Sequence, residues 1–118
     1  MEAARSVQGL FGLNEMLRAG AVGAAIQTPT GDIYTGISIE LACGIGFCAE
    51  HSAVAELLKD RTTLVEAMVA VGPDGIIPPC GRCRELLLQI NAENRGTKVV
   101  IAEDQVALLG DLLPYRWY

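Results

Sequence analysis

Two short segments decide the architecture, Cys48-Ala49-Glu50-His51 and Pro79-Cys80-Gly81-Arg82-Cys83. In each, a cysteine stands where a loop or strand gives way to a helix, expected over residues 49–59 and 82–91. A helix N-terminus carries unpaired N–H groups and a partial positive charge, and both favour the thiolate form that zinc binds. The chain between the segments accommodates a helix, a strand and their turns, an excursion that brings two helix starts together.

The number of ligands separates a catalytic zinc site from a structural one. Cys80 and Cys83 lie three positions apart and so share one side of a helical turn, and Cys48 supplies a third sulfur. Structural sites have four protein ligands, whereas catalytic sites leave one position open for water. Cys43 lies outside both helix starts, so we interpret it as a packed small side chain rather than a fourth ligand. The pattern predicts Zn²⁺, one per chain, in a catalytic site.

Glu50 follows a predicted ligand by two residues at the start of a helix. Its carboxylate is placed to take a proton from the attacking water and return it to a leaving nitrogen. An acid in a first helical turn is also favoured by the helix dipole alone. Beside three zinc cysteines, however, we interpret Glu50 as the catalytic residue.

Three thiolates on Zn²⁺ leave the centre with one net negative charge, which disfavours ionisation of water. We expect two helix N-termini and Arg82 to offset this charge, with Arg82 close to the sulfurs. Arg84 is expected to be a solvated helix residue. His51 is the only histidine, and we expect it either to donate to a ligand sulfur or to be packed in the interior.

Periodicity predicts the order α-β-β-α-β-α-β, a mixed sheet with helices on both faces. The predicted helices are residues 2–18, 49–59 and 82–91. A hairpin is predicted with strands at 21–27 and 33–39, and further strands at 64–71 and 98–102. Residues 41–47 are expected to form a loop, and residues 108–113 a short strand or helix.

Composition limits the partners of the chain. The net charge is −5 and the pI about 4.7, which argue against a nucleic acid polymer as partner. Apolar runs fall short of the roughly 20 residues of a membrane span, and the first residues lack signal-peptide features. We therefore expect one soluble, cytoplasmic domain over residues 1–118. The hydrophobic fraction of 51% favours some burial between subunits.

The two cysteine segments resemble the signature of the cytidine deaminase superfamily. Residues 22–25, 31–36 and 111–114 also resemble small three-cysteine cytidine deaminases, and residues 80–84 resemble blasticidin-S deaminases. The resemblance implies a three-layer α/β/α fold with a mixed five-stranded sheet. It implies hydrolysis of an amino group to a carbonyl on a cytosine nucleoside, and a homotetramer, with a homodimer as the alternative.

The resemblance also implies the substrate contacts. Ser38, Glu40 and Ala49 stand at the positions expected to bind substrate, although Ser38 replaces an asparagine usual in the family. An aromatic residue usual near Gly20 is missing, the loop at 44–47 is shortened, and His51 replaces an arginine. A C-terminal aromatic, Trp117 or Tyr115, is expected either to cover a neighbouring site or to pack in an interface.

Two rival functions and three classes of deaminase substrate stay open. A Cys-x-x-Cys motif at a helix start is also typical of thiol-disulfide oxidoreductases. A zinc-stabilised binding module would need four protein ligands and would give Glu50 no role. Among deaminases, the substrate is cytidine or deoxycytidine, an analogue such as blasticidin S, or another small aminated heterocycle.

Overall fold

One mixed sheet organises the chain, and the computed structural model describes it over residues 1–117. Four α-helices are present: α1 (Glu2–Val7), α2 (Ala49–Lys59), α3 (Gly81–Ile90) and α4 (Leu109–Leu112). A 3₁₀ helix follows α3 at Ala92–Gly96. The strands are β1 (Phe11–Gly12), β2 (Leu17–Gln27), β3 (Ile33–Leu41), β4 (Gly46–Phe47), β5 (Ala67–Gly72), β6 (Gly75–Ile76), β7 (Lys98–Ala102) and β8 (Gln105–Leu108).

The sheet has the order β4-β3-β2-β5-β7-β8, with β1 paired to β2 and β6 paired to β5. The β5–β7 pair is parallel, and α3 lies in the crossover between them. The other pairs are antiparallel. Five of the strands have four residues or more. The predicted mixed five-stranded sheet is therefore confirmed as the body of the sheet, to which three two-residue strands are added.

Alternate residues of the central strands face different helices, as the pleat requires. Met68 on β5 and Ile26 on β2 join the core formed with α2 and α3. Val69 and Ala25, one position along each strand, pack with Ala4 of α1 instead. Helices therefore cover both faces of the sheet, and the predicted three-layer α/β/α arrangement is confirmed.

Gly36 on β3 lets α2 lie directly against the sheet. A Cβ at this position would overlap the backbone nitrogen of Ala53 and lie 2.5 Å from the carbonyl oxygen of Ala49. Both atoms belong to the backbone of α2, so neither can move aside as a flexible side chain would. Because α2 begins at the predicted ligand segment, this contact sets the height of that segment above the sheet.

Asn94, in the 3₁₀ helix, is fully buried and ties three segments together. Its Oδ1 accepts from the backbone N–H of Val65 at 2.9 Å, and its Nδ2 donates to the carbonyl oxygens of Thr63 and Leu87. These bonds satisfy backbone groups that would otherwise lose their partners in the interior. The end of α3 is thereby fixed to the start of β5.

The N-terminal prediction was largely wrong. A helix was expected over residues 2–18, but α1 ends at Val7 and β2 begins at Leu17. The N–H of Gly9 donates to the carbonyl oxygen of Gly20 at 2.8 Å, so the chain turns back onto β2 instead of continuing as helix. Gly20 has a φ of +83°, a left-handed conformation that glycine adopts readily.

The remaining elements follow the sequence more closely. The helix over residues 49–59 and the strand over 98–102 have the predicted bounds, and α3 is shifted by one residue. The expected loop at 41–47 contains β4, and residues 109–112 form a helical turn. β8 was not predicted. Within residues 1–117, none of the helices is long and apolar enough to span a membrane.

We predict that Gly36→Ala destabilises the protein by about 1–3 kcal/mol and weakens zinc binding. The added methyl group must push α2 away from β3, which costs packing energy and moves the ligand segment. Denaturant unfolding in zinc-replete buffer measures the first effect, and zinc content after dialysis measures the second.

Gly96→Ala is the matched control, because a Cβ at Gly96 would meet no atom within 4 Å. This control should stay within about 0.5 kcal/mol of the parent protein. Equal stability of the two variants would show that the α2–β3 contact has room for a methyl group.

Candidate active site

Three cysteine sulfurs lie close together at the starts of α2 and α3. The Sγ atoms of Cys48 and Cys80 are 3.4 Å apart, and those of Cys80 and Cys83 are 3.6 Å apart. All three lie within 4.8 Å of one another. In a tetrahedral site with Zn–S bonds of about 2.3 Å, two sulfurs stand about 3.8 Å apart. The donor set and its spacing therefore fit one zinc ion with an open fourth position.

The two helix starts hold these sulfurs as the sequence predicted. Cys48 is the N-cap of α2 and Cys80 the N-cap of α3, and both have extended backbone angles. Cys83 lies in the first turn of α3 and is fully buried. Cys43 is exposed and lies outside the cluster, so its interpretation as a packed side chain was wrong. Neither does it offer the fourth ligand of a structural site.

The pKa values of the thiols differ within the metal-free cluster. Burial raises the pKa of Cys83 and of Cys48, and the Glu50 carboxylate and the Cys80 thiol add to the effect, although the Cys83 thiol partly opposes the rise in the pKa of Cys48. Burial also opposes ionisation of Cys80, yet hydrogen bonds from the backbone and from the other thiols hold its pKa below the usual value. Of the three thiols, only Cys80 therefore shows the lowered pKa that is expected at a helix start. A bound divalent cation reverses this balance, because it deprotonates coordinating thiols.

Glu50 is buried, with 4% of its surface exposed, and it lies in the first turn of α2. Burial raises the pKa of its carboxyl, while hydrogen bonds from its own backbone N–H and from the Cys83 thiol oppose that rise. A carboxyl in such surroundings binds a proton more readily than one in water. Glu50 therefore has both the position and the proton affinity of a general acid–base group.

His51 and Arg82 lie beside the cluster. The Nδ1 atom of His51 is 3.4 Å from the Sγ of Cys83. Burial lowers the pKa of His51, and the positive charge of Arg82 lowers it further. Arg82 is exposed and lines the cavity described below, and in the described residues 1–117 its side chain has no hydrogen bond to a sulfur. Its role near the sulfurs stays a prediction.

A cavity of about 400 Å³ opens at the cluster. Cys48, Cys80 and Glu50 line one part of it. The other lining side chains are mostly apolar, and they come from β2, β3, β4, β5 and the segment before α3. They include Val22, Ile39, Phe47, Ala70, Ile77 and Pro78. The cavity thus combines a small polar centre with apolar walls, as small-molecule sites commonly do.

The three predicted substrate contacts also line this cavity. The Oγ of Ser38 accepts from the N–H of Val22 at 3.0 Å, which leaves its own hydrogen available to a ligand. Glu40 is exposed and forms an ion pair with Arg18 at 3.0 Å. Ala49 is fully buried at the first position of α2, so it can offer only a small surface and its backbone.

Two residues of the site were not found from the sequence. Phe47 is the aromatic side chain of the cavity wall, and its position directly before Cys48 was the available signal. Arg84 is half-buried and donates to two backbone carbonyls, so its interpretation as a solvated residue was wrong. No sequence signal marked these partners, because both are backbone carbonyls and one lies 28 residues later in the chain.

The C-terminal aromatics lie at the surface of the chain. Tyr115 is 92% exposed and Trp117 is 84% exposed. The backbone N–H of Trp117 donates to the carboxylate of Glu85 on α3 at 2.8 Å. This bond holds the C-terminal segment, residues 115–117, beside α3, whose start carries Cys80 and Cys83.

The chain was compared with known families, proteins and solved structures. Residues 10–102 match the family model described as the cytidine and deoxycytidylate deaminase zinc-binding region. A cytidine deaminase of Mycobacterium tuberculosis is 36% identical over 97 residues, which cover 80% of this chain and 70% of that protein. A blasticidin-S deaminase of Bacillus cereus is 38% identical over 76 residues, or 56% of this chain and 54% of that protein.

Solved structures agree with the match in sequence. The crystal structure of cytidine deaminase from Mycobacterium tuberculosis superposes with a TM-score of 0.78 at 27% identity, covering 98% of this chain and 91% of that chain. The cytidine deaminase from Burkholderia pseudomallei gives a TM-score of 0.75 at 27% identity, covering 98% and 94%. The family match spans most of the chain and includes all three sulfurs and Glu50. The chain therefore belongs to the cytidine and deoxycytidylate deaminase zinc-binding family.

Proposed function

We propose that this chain is a zinc-dependent hydrolase that converts the exocyclic amino group of a cytosine nucleoside to a carbonyl and releases ammonia. One observation carries the proposal: a buried glutamate lies beside three clustered cysteine sulfurs in the wall of a cavity of about 400 Å³. Membership of the deaminase family supports it. It also argues against a thiol-disulfide oxidoreductase or a structural zinc module.

Water adds to the ring carbon that bears the amino group, and the C–N bond of that group then breaks. Zinc, when held by Cys48, Cys80 and Cys83, acidifies the attacking water. Glu50 accepts one proton of this water and passes it to the adjacent ring nitrogen, then takes the remaining hydroxyl proton and delivers it to the departing nitrogen, so that a carbonyl and ammonia result. Its burial keeps bulk water away and supports the proton affinity that the second transfer needs.

The residues around the sulfurs limit their negative charge. The N-termini of α2 and α3 both point to the cluster. The Nδ1 of His51 lies 3.4 Å from the sulfur of Cys83, and in the tautomer that carries its proton there it donates to the thiolate and withdraws charge from the ligand. Arg82 adds a positive charge at the cavity wall. These groups favour ionisation of the water that three thiolates would otherwise oppose.

The cavity wall supports a nucleoside as substrate. Phe47 and the neighbouring apolar side chains suit a flat heterocycle, while Ser38 and Glu40 offer hydrogen bonds to a sugar. The second candidate is a nucleoside analogue such as blasticidin S. The similarity to the blasticidin-S deaminase of Bacillus cereus favours it, and another aminated heterocycle is the remaining alternative.

The proposal extends to assembly and location. Large apolar side chains are exposed on the segment around β1 and in the β3–β4 loop, including Leu10, Phe11, Leu13, Met16 and Ile45. Such a surface suits contacts between subunits. We therefore propose a cytoplasmic homotetramer of single-domain chains, with a homodimer as the alternative.

We predict that Glu50→Gln lowers kcat by about 10²–10⁴-fold while zinc stays bound. The amide keeps the shape of the side chain but cannot accept the proton of the attacking water. Ammonia release measures turnover, and metal analysis of the same sample measures zinc per chain.

Glu56→Gln is the control, because Glu56 is an exposed acid on the same helix and, within residues 1–117, its ion pair is with Lys59. This variant should keep the parent turnover. An active Glu50→Gln variant with zinc bound would contradict the proposed role.

A substrate panel tests the proposed function itself and the role of Glu40. The panel contains cytidine, deoxycytidine, blasticidin S and free cytosine. We predict turnover of the cytosine nucleosides, and a rise in KM of about tenfold or more for cytidine in Glu40→Gln, because a charged hydrogen bond to the sugar is lost. The KM for free cytosine should not change with this substitution.

Glu66→Gln controls for loss of an exposed ion pair, since Glu66 pairs with Lys98 as Glu40 pairs with Arg18. Turnover of blasticidin S alone would favour the second candidate. If the zinc-loaded protein turned over no member of the panel, the deaminase proposal would be wrong.

We propose that Trp117 or Tyr115 covers the site of a neighbouring chain, and truncation after Pro114 tests this role. Removal of residues 115–118 should raise KM for the nucleoside, because the aromatic cover over the base is lost. Size-exclusion chromatography of the same sample separates this effect from loss of assembly. An unchanged KM would remove the covering role, and dissociation of the truncated protein would assign the tail to interface packing instead.

A further inference from the structure

Arg84 makes contacts on both sides of Cys80. Its backbone N–H donates to the carbonyl oxygen of Cys80 at 3.1 Å. Its Nε donates to the carbonyl oxygen of Pro79 at 2.8 Å. The peptide group after Cys80 is thus held by an ordinary helix bond, whereas the one before it is held by the Arg84 side chain, and together the two bonds restrict the backbone angles of Cys80.

The guanidinium of Arg84 is itself held from the other side. Its Nη1 donates to the carbonyl oxygen of Leu112, the last residue of α4, at 2.8 Å. The neighbouring Glu85 accepts from the N–H of Trp117. Two adjacent residues of α3 thus bind the C-terminal segment, and one of them also binds the segment that carries Cys80.

Burial makes the Arg84 bonds costly to lose. Arg84 is half-buried and Pro79 is buried, so the Pro79 carbonyl depends on this donor rather than on bulk water. Arg82, two residues earlier, is exposed, so position on α3 alone does not produce such contacts. The fork of the guanidinium lets one side chain donate to two carbonyls at once.

We propose that Arg84 is a positioning residue: it fixes the backbone of Cys80, holds that sulfur at the spacing zinc requires, and connects the metal site to the end of α4. The proposal rests on the zinc site described above. It does not require Arg84 to touch substrate or the reacting atoms, and it assigns the residue to retention of the metal rather than to the chemical step.

The test compares zinc release in Arg84→Met and Arg84→Lys. Each purified, zinc-loaded variant is mixed with a chromogenic chelator, and the rate of zinc transfer is followed. We expect Arg84→Met to release zinc about tenfold or more faster than the parent, since loss of a group that orients a ligand weakens metal binding by about 10–100-fold. Arg84→Lys keeps the charge but has a single donor nitrogen in place of the guanidinium fork, so its rate should be intermediate.

Arg95→Met is the matched control, because Arg95 is exposed, lies in the 3₁₀ helix and does not line the cavity at the sulfurs. It should release zinc at the parent rate. The visible spectrum of cobalt-substituted protein gives a second readout, because a moved sulfur changes the absorption of the metal, whereas a general loss of stability does not. If Arg84→Met fails to fold, Arg84→Lys and its cobalt spectrum carry the test.

Parent-like zinc release and an unchanged cobalt spectrum in the folded Arg84 variants would overturn the inference and leave the proposed function intact. Absence of zinc from the parent protein would instead overturn the zinc site on which both depend.

Discussion

Three thiols from two helices lie within 4.8 Å of one another, and this crowding is the constraint on which the site depends. Without a cation, burial and mutual proximity raise the pKa of two of the three thiols. A metal ion changes the sign of that interaction, because it stabilises the thiolates that the interior disfavours. The arrangement therefore fits a metal site, which is held by the sheet and by the starts of α2 and α3.

Small residues in the sheet allow α1 and α2 to pack close to its two faces. Gly36 brings the backbone of α2 onto β3, and Gly23 does the same for α1 on the opposite face. Two alanines of β2 add to these contacts, since Ala24 packs with Ala49 of α2 and Ala25 packs with Ala4 of α1. A sheet of larger side chains would separate the layers and move the start of α2 away from that of α3. The small apolar residues of the central strands thus help to set the distance between the helix starts that carry the sulfurs.

The sequence predicted the parts of this protein that depend on local chemistry. Cysteines at helix starts, the first-turn Glu50 and the bounds of α2 all follow from spacing, propensity and the needs of a metal ion. The N-terminal segment was mispredicted because its apolar spacing resembles a helix, whereas a backbone bond between Gly9 and Gly20, eleven residues apart, decides its course.

At the site, too, local features were predicted and contacts between distant segments were not. Arg84 was misassigned because its partners are carbonyl groups, which no sequence pattern marks, and one of them lies on α4, 28 residues later. The wall of the cavity draws on β2, β3, β4, β5 and the segment before α3, so its lining residues come from several elements between residues 21 and 78. The sequence thus indicated the polar contacts Ser38 and Glu40, whereas the apolar part of the wall was identified only from the fold.

The separation of Cys48 and Cys80 along the chain has a consequence for folding. The two residues lie 32 positions apart, and a metal held by both closes that stretch into a loop, as a covalent cross-link would. Closing the loop restricts the unfolded chain and so favours the folded one. The zinc concentration then affects two quantities. It sets the fraction of chains that are folded, and it sets the fraction of folded chains whose metal site is loaded.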